Sequence, residues 1–68
     1  MNNIYLEQAK QKITNPRILV NVAAQRATEL AQRYKPLVEV PVKDDHNYLN
    51  IALLEIAAGM LTVESELS

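Results

Sequence analysis

The chain has no cysteine, no tryptophan and no phenylalanine, and only one glycine and one histidine among its 68 residues. Without cysteine there can be no disulfide, no thiolate metal ligand and no thiol nucleophile. The single glycine, Gly59, cannot make a Gly-rich loop to cradle a phosphate. The single histidine, His46, cannot hold a metal ion alone. A Ser-His-Asp arrangement would have to recruit Ser65 or Ser68 near the C-terminus, where nothing would preorganise it. Neither charge sign dominates: seven basic and eight acidic residues give a net charge of −1. The Lys/Arg patch that neutralises nucleic-acid phosphates is therefore missing. No run approaches the ~18 apolar residues of a membrane span, and Met1-Asn2-Asn3 lacks the basic and apolar regions of a signal peptide. These absences predict a cytoplasmic protein that is no enzyme on its own, with no catalytic residue, no metal, no cofactor and no membrane or specific nucleic-acid contact.

What is present is aliphatic. The composition is 49% hydrophobic but only 4% aromatic, and this Leu, Val, Ile and Ala mass suits helix packing. A chain this short buries only about 60% of the surface it exposes when unfolded. Small domains usually make up the deficit with disulfides, a metal or a partner. With the first two excluded, a partner is the expected supplement, with very well packed helices as the alternative.

The pattern predicts an all-α fold, a small three- to four-helix orthogonal bundle over residues 1–61. An extended linker joins the second and third main helices, and a flexible acidic tail covers residues 62–68. The first helix is expected from Tyr5 to Ile13, with Leu6, Ala9 and Ile13 on one face. Thr14-Asn15-Pro16 stops it, with Asn15 as N-cap and Pro16 at the first position of the next helix. That second helix should run to about Tyr34. Its apolar face of about 140° would comprise Leu19, Val20, Ala23, Ala24, Ala27, Leu30, Ala31 and Tyr34. Ile18 and Val22 fall outside this face, near Arg26, Glu29 and Arg33, on the flank that should be wet. They are either scattered surface aliphatics or a second contact strip with charged edges.

Lys35-Pro36 closes the second helix, and Pro41 bars Leu37–Val42 from a central strand, so this stretch reads as an extended linker. Lys43-Asp44-Asp45-His46-Asn47 reads as a solvated polar turn; a divalent-ion contact at Asp44-Asp45-His46 is the weaker alternative. Asn47 or Asp45 should cap the third helix, Tyr48 to Met60. Leu49, Leu53, Ile56 and Met60 form its inward stripe, while Leu54, Ala57, Ala58 and Leu61 face elsewhere and Ile51 and Ala52 widen the apolar coverage. A helix apolar all round belongs inside something larger, and this one is more than so short a monomer should be able to bury. Glu55 is its one charge, either an exposed ridge or a lone anion in an apolar interface; Arg26 poses the same question on the second helix, and the two could pair. Gly59 is placed to close the third helix.

Three blocks resemble the omega subunit of bacterial RNA polymerase. The run Val20-Asn21-Val22-Ala23-Ala24-Gln25-Arg26-Ala27-Thr28-Glu29-Leu30 is similar to the family's central helix, V-x-x-A-A-x-R-A-x-x-L. Pro36-Leu37-Val38-Glu39 resembles the linker that follows it. Ile51-Ala52-Leu53-Leu54-Glu55-Ile56-Ala57-Ala58-Gly59 resembles the I-A-L-x-E-I-x-x-G stretch. Together they span roughly residues 4 to 61. The resemblance implies a non-catalytic subunit that clamps β′, promotes assembly of the enzyme and reaches β and α through it. Arg26, Ala27, Glu55, Ile56 and Gly59 match the family pattern. Ile18, Val22 and Leu54 are expected at the same contact from their off-core placement. Gln25 and Thr28 stand where members often carry further basic residues. Asn2-Asn3-Ile4-Tyr5 lacks the arginine that helps some members bind guanosine tetraphosphate, so that site is not expected here. The competing expectation is a small self-associating helical regulator, an antitoxin-like or helix-turn-helix dimer; the isolated omega-like chain could also form a homodimer.

Overall fold

The computed structural model describes residues 2–61, which form three α-helices and one 3-10 turn, with no strand among the described residues. The chain is all-α, as its composition predicts. The expected acidic tail lies outside the described residues.

The first helix, α1, spans Asn3–Lys10. It starts earlier than predicted because Asn2 caps it: the Asn2 side-chain oxygen accepts from the Ile4 and Tyr5 N–H groups at 2.8 and 3.1 Å. That satisfies two of the free donors at a helix start. The helix also ends before Ile13. Ile13 still folds back, its N–H donating to the Ala9 carbonyl at 3.0 Å, and it is buried with Ala9 in the core.

The second helix, α2, spans Pro16–Ala31. Asn15 accepts from the Arg17 and Ile18 N–H groups, and Pro16 occupies the first turn. It ends three residues short of Tyr34 because Arg33 adopts a left-handed backbone, φ 74°. Arg33 N–H donates to the Leu30 carbonyl at 3.0 Å and Tyr34 N–H to the Glu29 carbonyl at 3.3 Å. This is the paired closure of a Schellman motif, made here without glycine.

Tyr34–Pro41 carries no regular structure, and the 3-10 turn Val42–Asp44 leads into the third helix, α3, Tyr48–Ala57. Of the two candidate caps, Asn47 is the one used, its side chain accepting from Asn50 N–H. The C-terminal end repeats the Schellman closure, with Gly59 at φ 75° in the left-handed position.

The arrangement explains how so apolar a helix is buried. α3 lies in the middle, packed against both α1 and α2, which touch each other little. Covered on two sides, it buries Asn50, Ile51, Ala52, Leu53, Glu55 and Ile56. The predicted single inward stripe is corrected accordingly. Ile51 and Ala52 are full core residues, Leu49 is only half-buried, and Met60, past the helix end, is 53% exposed. The expectation that this chain could not bury its third helix is corrected for those six buried residues, while Leu54 and Ala57 keep part of their surface.

The two left-handed residues generate a paired prediction. Relieving a side chain of the left-handed backbone is worth on the order of 1 kcal/mol. Arg33→Gly should therefore stabilise the fold by about that amount in urea unfolding. Gly59→Ala should destabilise it by a similar amount; no heavy atom lies within 4 Å of the added Cβ, so its cost is conformational.

Candidate functional site

Arg26 and Glu55 meet inside the molecule. Glu55 is 0% exposed and Arg26 8%. Arg26 Nε donates to Glu55 Oε1 at 2.7 Å and Arg26 Nη2 to Oε2 at 3.0 Å, a two-pronged charge-assisted pair. Arg26 Nη1 adds Glu29 at 3.2 Å, and Nη2 also donates to the Lys35 carbonyl at 3.2 Å. Glu55 Oε2 further accepts from the Leu37 backbone N–H at 2.8 Å. One ion pair thus joins α2, α3 and the linker. The bonds to Glu55 raise the Arg26 pKa above its already high value, against burial acting the other way, and the bond to Glu29 adds to the rise. Arg26 stays charged throughout.

This pair changes the setting of α2. The buried stripe is Leu19, Ala23, Arg26 and Leu30, with Ile18 and Val22 packed half-buried beside it. Ile18 and Val22 are therefore not on a wet flank. Val20, at 52% exposed, and Ala24 and Ala31 face solvent instead, and Ala27 is half-buried. Hydrophobic spacing put those positions inward; the need to bring a guanidinium onto Glu55 turns the helix the other way.

A second polar cluster pins the other end of α3. Asp44, in the turn expected to be solvated, is 5% exposed. Tyr5 Oη donates to Asp44 Oδ2 at 2.7 Å and Asn50 Nδ2 to Oδ1 at 3.1 Å. Asn50 Oδ1 in turn accepts from the Asn2 N–H at 2.9 Å. Tyr5 and then Asn50 hold the Asp44 carboxyl below its ordinary pKa. The same bond raises that of Tyr5. Among the described residues no buried side-chain polar atom lacks a partner. Asp45 and His46 stay exposed.

Of the sequence-derived site residues, Ile18, Val22, Ala27 and Leu54 retain part of their surface, and Gly59 is exposed. Arg26 and Glu55 are brought together, and Ile56 is fully buried. Leu54, with Ala57 and Ala58, lines a groove of about 440 Å³ together with Val38 and Glu39 of the linker and Gln8, Gln11 and Lys12. The linker therefore covers the outer face of α3 only in part. A smaller hollow of about 120 Å³, walled by Leu6, Val20, Ala24 and Leu49 among others, has only apolar side chains around it. Sequence reasoning did not find this hollow, because it depends on the outward turn of Val20 and Ala24. No helix is long and apolar enough to cross a membrane among the described residues.

The RNA polymerase Rpb6 family model matches residues 9–63. The chain is similar to a DNA-directed RNA polymerase subunit omega of a Nitratiruptor species, 47% identical over 60 residues, covering 87% of this chain and 84% of the relative. It is also similar to the subunit of that name in Oceanobacillus iheyensis, 33% identical over 60 residues, covering 88% of this chain and 91% of the relative. No solved structure gives a significant match.

Two outcomes follow from the polar clusters. Removing one member of a buried ion pair leaves the other uncompensated, at about 3–5 kcal/mol. Glu55→Ala and Arg26→Ala should each lower stability by that amount in urea unfolding, enough to unfold much of so small a domain. Asp44 acts on the acid side. Because its folded pKa lies below the ordinary 3.8, its stabilisation is fully present above that value. It is lost as pH falls from there through the folded pKa. Asp44→Asn should therefore destabilise at neutral pH, with the gap to the parent narrowing on acidification below pH 3.8.

Proposed function

This chain belongs to the omega family of RNA polymerase subunits, and from that premise we propose that it is a non-catalytic clamp for the β′ subunit that promotes assembly and stability of the polymerase in the cytoplasm. The observation that carries the reading is the match to two omega subunits over 60 residues each, 87% and 88% of this chain, together with a family match over residues 9–63, the stretch that holds Arg26 and Glu55. The exposed surface gives such a partner something to hold: the apolar outward strip of α2, and the mixed groove where Leu54, Ala57 and Val38 lie beside Gln8, Lys12 and Glu39. Contiguous apolar surface on a small protein marks an interaction site.

The proposed site residues then divide by access. Leu54, Ala27, Ile18 and Val22 contact β′ through the surface they retain. Arg26, Glu55 and Ile56 act from inside, holding α2, α3 and the linker in the arrangement that β′ meets. Gly59 turns the chain at the end of α3, next to Ala58 of the groove. The mechanism is mass action. A surface that binds only folded β′ stabilises that state by RT ln(1 + [L]/Kd), about 2.7 kcal/mol at a hundredfold excess over Kd. Nothing further is needed for an assembly factor, and no side chain has to react.

The test is affinity purification of the tagged chain from its native host. Recovery of β and β′ in stoichiometric amounts is the expected result; a lone homodimer on sizing would contradict it and favour a self-associating regulator. In the same assay Leu54→Glu, checked for an unchanged helical signal, should cut recovery of β′ by about tenfold or more, as loss of a central apolar anchor does.

A further inference from the structure

The geometry points to the Arg26–Glu55 pair as a register lock: it selects which of two apolar faces of α2 turns toward α3. Helix α2 carries two overlapping arcs. One holds Val20, Ala24, Ala27 and Ala31; the other holds Ile18, Val22 and Arg26. Leu19, Ala23 and Leu30 lie where the arcs overlap and serve either. At 100° per residue, with the shared residues counted in both, the centres of the two arcs are roughly 90° apart. Apolar content does not favour the observed choice. The first arc contains no charge, whereas the second takes a guanidinium out of water, a penalty that a buried pair offsets only with good geometry.

The geometry here is good, and it comes from α3. Glu55 has no exposure at all, and both of its oxygens are directed at α2 and the linker. Among the described residues Arg26 is the cation that reaches it within 4.0 Å. A rotation that turned Val20 inward would carry Arg26 away and leave a buried carboxylate without its charge partner. The Lys35 carbonyl, bound by the same guanidinium, would lose its partner as well. Hydrophobic burial therefore tolerates two settings of α2, and the ion pair permits one. Its consequence is at the surface: Val20, Ala24 and Ala31 stay outward, and the apolar hollow beside Leu6 and Leu49 stays open. Fixing register is the best-attested use of a buried polar group.

The lock can be removed without stranding a charge, by Arg26→Met with Glu55→Leu in the full chain. The chain has no cysteine of its own, so single reporters, Val20→Cys or Val22→Cys, can be read by thiol labelling beside circular dichroism. In the otherwise native chain Val20→Cys should label the faster. In the unlocked chain the order should invert, each rate moving by about tenfold as protection is exchanged between the two positions. A simple stabilising role would slow or speed both together. A folded double variant that keeps the native order overturns the proposal. So does a double variant that loses its helical signal, because a second register would then not be available.

Discussion

The bond set around Arg26 and Glu55 is the constraint from which the rest of this small fold takes its shape. Glu55 lies on the most buried helix of the molecule, and a carboxylate there is tolerable only if it is paired and fully hydrogen-bonded. Arg26 supplies the charge and the Leu37 N–H supplies a further donor. Meeting that need sets three things together: the rotation of α2, the position of its end near Lys35, and the path of the linker over α3. In a domain with no disulfide, a few such bonds do the work of a covalent staple.

The local chemistry of the sequence was readable where a signal is complete within a few residues. Asn15-Pro16 announces a helix start because a side-chain acceptor and a missing N–H both suit that position. Gly59 announces a helix end because it accepts a left-handed backbone. The same reasoning missed the end of α2, since Arg33 takes that backbone without being glycine. Asp44 was misread as solvated because the groups that hold it come from elsewhere, Tyr5 from 39 residues away in sequence. Nothing within the turn reveals them.

Helix faces were legible only where one neighbour covers them. Leu6, Ala9 and Ile13 pack as their spacing suggests, because α1 has a single side to bury. On α3 the stripe rule failed, since a helix covered by α1 and α2 needs no dry face and no wet one. Ile51 and Ala52 are as buried as Leu53. On α2 it failed for the opposite reason: periodicity weighs apolar positions and cannot see that an anion on another helix requires Arg26 inside. Of the candidate site, the resemblance to omega subunits singled out Arg26 and Glu55, and the sequence offered their pairing as one of several readings, which the structure makes. Their place at the centre of the fold depends on a contact across 29 residues.

The linker is where this constraint is most open to direct measurement. Leu37 has a half-exposed side chain in a segment with no regular structure, so its amide would ordinarily exchange with solvent almost freely. Donated to a fully buried Glu55, it should instead be released only when the whole domain opens. Hydrogen exchange followed by NMR should therefore find the Leu37 amide as slow as that of Leu53 in the centre of α3, while Glu39, two residues on, exchanges fast. A Leu37 amide that exchanges at the rate of Glu39 would show that the linker is not held by the ion pair, and would contradict the central place given to it.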